Sequence, residues 1–107
     1  MNREQLLDDL AQTFKQGIEI VEKKNQDYAL EDDAFYNFRS SSVIGLPPEK
    51  AILVRILDKL ARISNLIDKE AAVKDESIDD TLIDTINYLA ILKAYLKQKW
   101  KQNNSTV

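Results

Sequence analysis

Residues that break helices are scarce in this chain of 107 residues. It has two glycines and two prolines, Gly17, Gly45, Pro47 and Pro48. Because short strands joined by tight turns need such residues at frequent intervals, their scarcity favours a few long helices. The length suits one domain with one hydrophobic core. The sequence therefore predicts an all-α fold, with a single domain over residues 1–107.

Hydrophobic periodicity divides the chain into helices. Apolar residues recur three and four positions apart over residues 6–21, after Asn2, which is a predicted N-cap with a glutamine three residues later. Pro47 and Pro48 suit the start of another helix, and Ser77 suits the N-cap of the last one. The predicted elements are a helix at 1–26, a loop with at most one short helical turn at 27–46, a helix at 47–70, a helix at 77–100 and a frayed tail at 101–107.

The chain contains no histidine and no cysteine. This excludes Cys-His and Ser-His nucleophiles, disulfides and the usual zinc sites. The formal net charge of −3 would repel a polyanion, so duplex nucleic acid is not an expected partner. No apolar run is long enough to cross a bilayer or to act as an export signal, so we expect no membrane association and a cytoplasmic location.

Apolar residues cover most of the circumference of the helix at 47–70. A helix of this kind belongs in the middle of a bundle, and one short chain offers few neighbours to surround it. We therefore expect a homo-oligomer, with the narrow polar strip of this helix solvated or facing a pocket. The strip consists of Arg55, Asp58, Arg62, Asn65 and Lys69.

Two groups of carboxylates lie on different predicted helices. Any metal in this protein must be bound by oxygen ligands, and these groups suit magnesium or manganese, which prefer such ligands. A bound metal would polarise a phosphate and activate a water molecule. The first group is Glu19 and Glu22, and the second is Glu76, Asp79, Asp80 and Asp84.

One face of the last helix changes from polar to apolar along its length. Its polar members are Glu76, Asp80, Asp84 and Asn87, and the same face continues at Ile91 and Ala94. Apolar continuation favours a face that other parts of the protein cover. A solvated helix start, whose acids complement the helix dipole, is an equal alternative.

Basic and aromatic side chains complete a possible nucleotide site. Arg55, Lys59 and Arg62 would hold phosphate oxygens. Lys24 stands where the helix pattern expects leucine, and a frayed helix end with this lysine in water is the simpler alternative. Aromatic rings at five positions would stack on a base. These positions are Tyr28, Phe35, Tyr36, Phe38 and Tyr88.

Four sequence strings together resemble the nucleotide-modification-associated domain of phages and prophages. The strings are KNQDY at 24–28, NFR at 37–39, VRILDKLARISNL at 54–66 and DESIDDTLIDTINY at 75–88. That family is similar to the all-α MazG-like and dUTPase-like nucleotide pyrophosphohydrolases. The resemblance implies dimers or tetramers, magnesium held by acids, and motif residues that bind the substrate. Those motif residues are Asp27, Tyr28, Asn37, Asn87 and Tyr88.

Three functions follow from these features. The first is magnesium-dependent hydrolysis of a nucleoside triphosphate between its α and β phosphates. In this hypothesis Glu22, Glu76 and Asp80 hold the metal and act in catalysis, Asp84 orients a ligand or a water, and Lys24, Arg55, Lys59 and Arg62 neutralise phosphate. The second is a non-catalytic protein that sequesters a nucleotide or a nucleotide-derived signal, for example against a bacterial defence system. The third is a helical interaction module whose charges only form ion pairs.

Overall fold

The computed structural model describes residues 1–28, 33–69 and 78–105, without the side chains of residues 25–28, 104 and 105. Over these ranges the chain forms three α-helices and two 3-10 turns. The helices are α1 (Arg3–Tyr28), α2 (Pro48–Leu66) and α3 (Ile78–Ser105), and the 3-10 turns span Tyr36–Phe38 and Ser40–Ile44. The predicted all-α fold is confirmed.

Local chemistry explains where the helices begin. The Asn2 backbone N–H donates to Gln5 Oε1 at 2.9 Å, and the Gln5 N–H donates to Asn2 Oδ1 at 2.8 Å, which is the reciprocal capping predicted for α1. Pro47 is the extended N-cap of α2, and Pro48 is its first residue. Gly45 precedes them with a φ of 77°, a conformation that side chains disfavour.

The helix ends differ from the predicted ones. α1 continues to Tyr28, α2 ends at Leu66 instead of residue 70, and α3 continues to Ser105 through most of the predicted tail. The segment from Lys101 to Ser105 is polar but contains no glycine or proline, so nothing in its covalent structure stops the helix. The predicted N-cap Ser77 lies outside the described residues.

Within the single chain, α3 and not α2 has the middle position. It contacts both α2 and α1, and α2 more extensively. The core between α2, α3 and the first 3-10 turn is a cluster of Phe38, Ile52 and Ile56, with Tyr88 and Ile91 packed against it. The central position predicted for α2 concerns an oligomeric bundle, so it stays a prediction.

Much of the apolar surface of α1 and α2 remains exposed in the single chain. Leu6, Phe14 and Ile18 of α1 and Leu57 of α2 each expose about half or more of their surface. Contiguous exposed apolar faces are typical of surfaces that bind another protein. Homo-oligomerisation stays a prediction, which the molar mass in solution tests. In the described part of the chain, no helix is both long and apolar enough to span a membrane.

A charged pair ties the start of α2 to the last third of α3. Lys99 Nζ donates to Glu49 Oε1 at 2.5 Å, while Glu49 Oε2 is buried without a hydrogen-bond partner. The hydrogen bond from Lys99 lowers the pKa of the Glu49 carboxyl, and burial opposes it. Lys99 is therefore the main group that stabilises the carboxylate in its charged form.

We expect Lys99→Met to destabilise the protein near neutral pH. The pKa of Glu49 is lowered in the folded state, so the pair stabilises the fold fully above the ordinary carboxyl pKa, and this contribution is lost as the pH falls through the lowered pKa. Urea unfolding of wild type and variant at neutral and acidic pH measures the difference. Lys97→Met, an exposed change of the same charge, is the control. A deficit of equal size at both pH values would contradict the assignment.

Candidate functional site

A cleft of about 660 Å³ lies between α1, α3 and the segment that leads into α2. It is lined by charged, amide, aromatic and aliphatic side chains, a combination typical of sites for small polar-apolar ligands. The lining residues are Ile20, Val21, Lys24, Ala34, Phe35, Asn37, Phe38, Arg55, Asp84, Asn87, Tyr88, Ile91 and Ala94.

α3 forms the longest wall of the cleft. Its lining residues begin at Asp84 and end at Ala94, ten positions that span about 15 Å at 1.5 Å per residue. Asp84 and Asn87 make the first end polar, and Ile91 makes the other end apolar. The predicted face that changes from polar to apolar therefore faces the cleft from Asp84 onward.

Asp84 joins all three helices at the polar end. Lys59 Nζ of α2 donates to its Oδ2 at 3.3 Å, and Lys24 Nζ of α1 lies 3.7 Å from its Oδ1. The Asp84 and Lys59 side chains are about one quarter exposed, whereas Lys24 is 58% exposed. Two cations around one carboxylate leave this end with an excess of positive charge, and Lys24 can turn toward a ligand most easily.

Arg55 carries a further positive charge at the cleft, on the face of two aromatic rings. Its guanidinium carbon lies 4.7 Å from the centroid of the Phe38 ring and 5.9 Å from that of Tyr88. The two rings contact each other edge to face, with their centroids 6.5 Å apart. Because cation–π contacts restrain the guanidinium, Arg55 presents its donors from a fixed place.

Hydrogen bonds within residues 33–39 fix the shape of this part of the cleft wall. Arg39 Nε donates to Asp33 Oδ2 at 2.8 Å and its Nη2 donates to Oδ1 at 3.2 Å, while the Phe35 N–H donates to Oδ1 at 3.1 Å. The hydrogen bonds that Arg39 donates to the Asp33 carboxylate lower the pKa of Asp33 and raise the pKa of Arg39. Phe35 also packs edge to face on Tyr95 of α3, which places it in the cleft wall.

α1 approaches α3 most closely at Gly17. Asn87 Nδ2 donates to the Gly17 carbonyl oxygen at 3.1 Å, and a Cβ atom at position 17 would lie only 2.6 Å from Asn87 Oδ1. Glycine inside a helix costs roughly 0.5–1 kcal/mol relative to alanine. Here it permits a contact that no other residue allows without moving Asn87.

Six of the predicted site residues meet in the cleft, and Lys59 joins them through its bond to Asp84. The six are Lys24, Asn37, Arg55, Asp84, Asn87 and Tyr88. Two of the proposed stacking rings, Phe35 and Phe38, are also there, whereas Tyr36 is not. This arrangement brings Asp84 of α3 together with Arg55 and Lys59 of α2.

Other predicted residues do not line the cleft. Arg62 of α2 is exposed, two turns beyond Arg55 on its helix. Four predicted metal ligands are also exposed and outside it, namely Glu19, Glu22, Asp79 and Asp80. Glu76 and the side chains of Asp27 and Tyr28 lie outside the described residues, so their predicted roles stay predictions.

The described carboxylates do not by themselves fit a magnesium ion. Among them, no group of three lies close enough to share a metal. Asp84, the one in the cleft wall, already faces Lys24 and Lys59. Magnesium is commonly held by one or two carboxylates together with substrate phosphates.

Sequence reasoning missed the apolar lining of the cleft and the role of Gly17. Ile20 and Val21 looked like ordinary members of the apolar face of α1, because periodicity does not separate a cleft wall from a core. Gly17 did leave a signal, since an isolated glycine in a helical pattern often marks close backbone packing.

Comparisons with curated proteins and with solved structures found no match for this chain. The sequence model of one family, nucleotide modification associated domain 1, matches residues 24–94. This range is about two thirds of the chain and contains every cleft-lining residue except Ile20 and Val21. The chain belongs to the nucleotide modification associated domain 1 family.

Proposed function

We propose that this protein binds a nucleotide in the cleft between α1, α3 and the segment 33–46. The observation that carries the proposal is one cleft that combines two lysines around Asp84 with an aromatic and apolar wall, where Arg55 adds a further positive charge beside the rings. A nucleotide combines the complementary groups, charged phosphates and a flat base.

The cationic side chains suit phosphate. Lys24, Lys59 and Arg55 outnumber Asp84, the only acid among the described cleft-lining residues. Charge-assisted hydrogen bonds from lysine and arginine are the usual means of binding phosphate oxygens. The pairing of Asp84 with two lysines also reduces its repulsion of an incoming phosphate.

The aromatic and apolar wall suits a base. Phe35 and Tyr88 line the cleft beside Ile91, and base stacking on aromatic rings is favourable for any base. The amide of Asn37 supplies a donor and an acceptor for the edge of the base. The interaction-module hypothesis would gain most if Arg55 formed only ion pairs across a subunit interface and left no cavity. Instead Arg55 lines a cleft, which favours the ligand-binding hypothesis.

A thermal-shift screen of the common ribonucleoside and deoxyribonucleoside triphosphates tests the proposal, with calorimetry to measure Kd for those that raise Tm. We expect at least one nucleotide to raise Tm, because a ligand that binds only the native state stabilises it. Each nucleotide is tested in magnesium and in a chelator. If no nucleotide raises Tm under either condition, the proposal is wrong.

Magnesium-dependent hydrolysis of a nucleoside triphosphate is a second candidate. The position of Asp84 in the cleft favours it, with Asp80 one helical turn earlier on α3. Glu22 and Glu76 would have to supply further oxygen ligands. Release of pyrophosphate by wild type, but not by Asp84→Asn, would support hydrolysis. A nucleotide that binds in the chelator and is recovered intact would support the non-catalytic alternative, a protein that sequesters its ligand.

A further inference from the structure

Asn87, which lines the cleft, donates a hydrogen bond to the backbone of α1 at Gly17. Gly17 is buried in the middle of α1, where alanine would favour the helix. Asn87 lies on α3 between Asp84 and Tyr88. The Asn87 side chain therefore both contacts α1 and lines the proposed ligand site.

The carboxamide of Asn87 rests on α1 in a defined orientation. Its Nδ2 donates to the Gly17 carbonyl oxygen at 3.1 Å, and its Oδ1 is the Asn87 atom nearest to the missing Cβ of Gly17, at 2.6 Å from that position. The bond to a carbonyl oxygen identifies the nitrogen, because the amide oxygen cannot donate. Nδ2 carries a second hydrogen, which this bond does not use.

Asn87 lines the cleft, and its second amide hydrogen can be donated to a ligand. Lys24 and Arg55 line the same cleft, and their side chains only donate. An anionic oxygen can accept hydrogen bonds from all three side chains, whereas a group that only donates could bond at most to Asn87 Oδ1 among them.

We propose that Asn87 binds a phosphate oxygen of the nucleotide through its second amide hydrogen, and that Gly17 is a positioning residue that holds the amide in place. This inference rests on the proposed function, since it assigns a role within the same cleft. Any side chain at position 17 displaces the amide from its place on the α1 backbone, so the glycine sets where the amide lies.

The test is a double-mutant cycle of Gly17→Ala and Asn87→Ala, with Tm and Kd measured for each variant. The probes are the tightest-binding triphosphate of the screen and the nucleoside without its phosphates. Gly17→Ala should lower Tm, because its Cβ collides with Asn87. The double variant should regain the Tm of Asn87→Ala or exceed it, because the collision is gone and alanine favours the helix.

We expect the changes in Kd among these variants to differ in pattern from the changes in Tm. We expect both single variants and the double variant to bind the triphosphate about tenfold more weakly or worse, the usual loss for one hydrogen bond to a charged group. The ratio of nucleoside to triphosphate affinity should rise accordingly. A purely structural contact would instead restore binding in the double variant together with Tm. Gln16→Ala, an exposed neighbour on α1, should change neither quantity.

Three results would overturn the inference and leave the proposed function standing. They are unchanged triphosphate binding in Asn87→Ala, an equal loss for nucleoside and triphosphate, and a Gly17→Ala variant with wild-type Tm and Kd. If wild type binds no nucleotide, the proposed function is wrong and the inference fails with it. The Tm coupling between positions 17 and 87 would still report on the helix contact itself.

Discussion

Arg55→Glu is expected to weaken nucleotide binding by about 10²-fold or more. The substitution removes a charged donor, which contributes roughly 1.5–3 kcal/mol, and it places a negative charge against phosphate. The native guanidinium lies against the Phe38 and Tyr88 rings, so its donors occupy one place in the cleft. Calorimetric titration with the tightest-binding nucleotide measures the effect.

Arg62→Glu is the matched control for that prediction. It makes the same change of net charge on the same helix, and both arginines are exposed, but Arg62 does not line the cleft. A comparable loss of binding in both variants would mean that long-range charge, and not the cleft, determines binding. Arg55→Lys keeps the charge but loses the planar group that stacks on the rings, so we expect an intermediate affinity.

Ile52→Ala is expected to have the largest effect on stability. Ile52 is 0% exposed and lies in the cluster with Phe38 and Ile56. Replacing a buried isoleucine by alanine costs about 2–5 kcal/mol, through lost transfer free energy and the cavity that remains. Since a domain of this size is stable by about 5–15 kcal/mol, the variant should lose a large fraction of its free energy of unfolding. Urea unfolding at fixed protein concentration measures it.

Ile44→Ala is the control, because it removes the same side-chain atoms from an exposed isoleucine. Ile44 is 81% exposed, beside the left-handed Gly45 that precedes α2. Its truncation should change the free energy of unfolding by less than about 0.5 kcal/mol. If the two alanine variants unfold at similar urea concentrations, Ile52 is not the centre of the core.

The core and the candidate site share residues, which connects these two predictions. Phe38 belongs to the buried cluster and also lines the cleft, and Tyr88 packs on that cluster while it faces Arg55. Such a cleft is held in shape by the packing beneath it. Ile52→Ala should therefore also weaken nucleotide binding, although Ile52 does not line the cleft.

The helices were predictable because their signals are local. The reciprocal cap of Asn2 and Gln5 and the start of α2 at Pro48 depend on residues a few positions apart, and both occur as predicted. Helix ends were less predictable. α3 continues to Ser105 because polar residues alone do not end a helix.

The residue types of the candidate site were predictable, but their positions relative to one another were predictable only in part. Periodicity put Asp84, Asn87, Ile91 and Ala94 on one face, and that face does line the cleft. The choice among carboxylates was not available from spacing. Asp84 lies in the cleft wall, whereas Asp79 and Asp80 are exposed and outside it, because distances between helices are set by packing.

The amino-acid sequence by itself determined the all-α class, the absence of histidine and cysteine chemistry, and the helix faces that carry charge. These properties follow from composition and from the 3.6-residue period of each helix. Only the tertiary structure decided that α3 is central, that Asp84 lies between Lys24 and Lys59, and that Gly17 brings α1 against Asn87. The physical reason is that these contacts join residues 25 to 70 positions apart, and which distant faces meet depends on the packing of the whole chain.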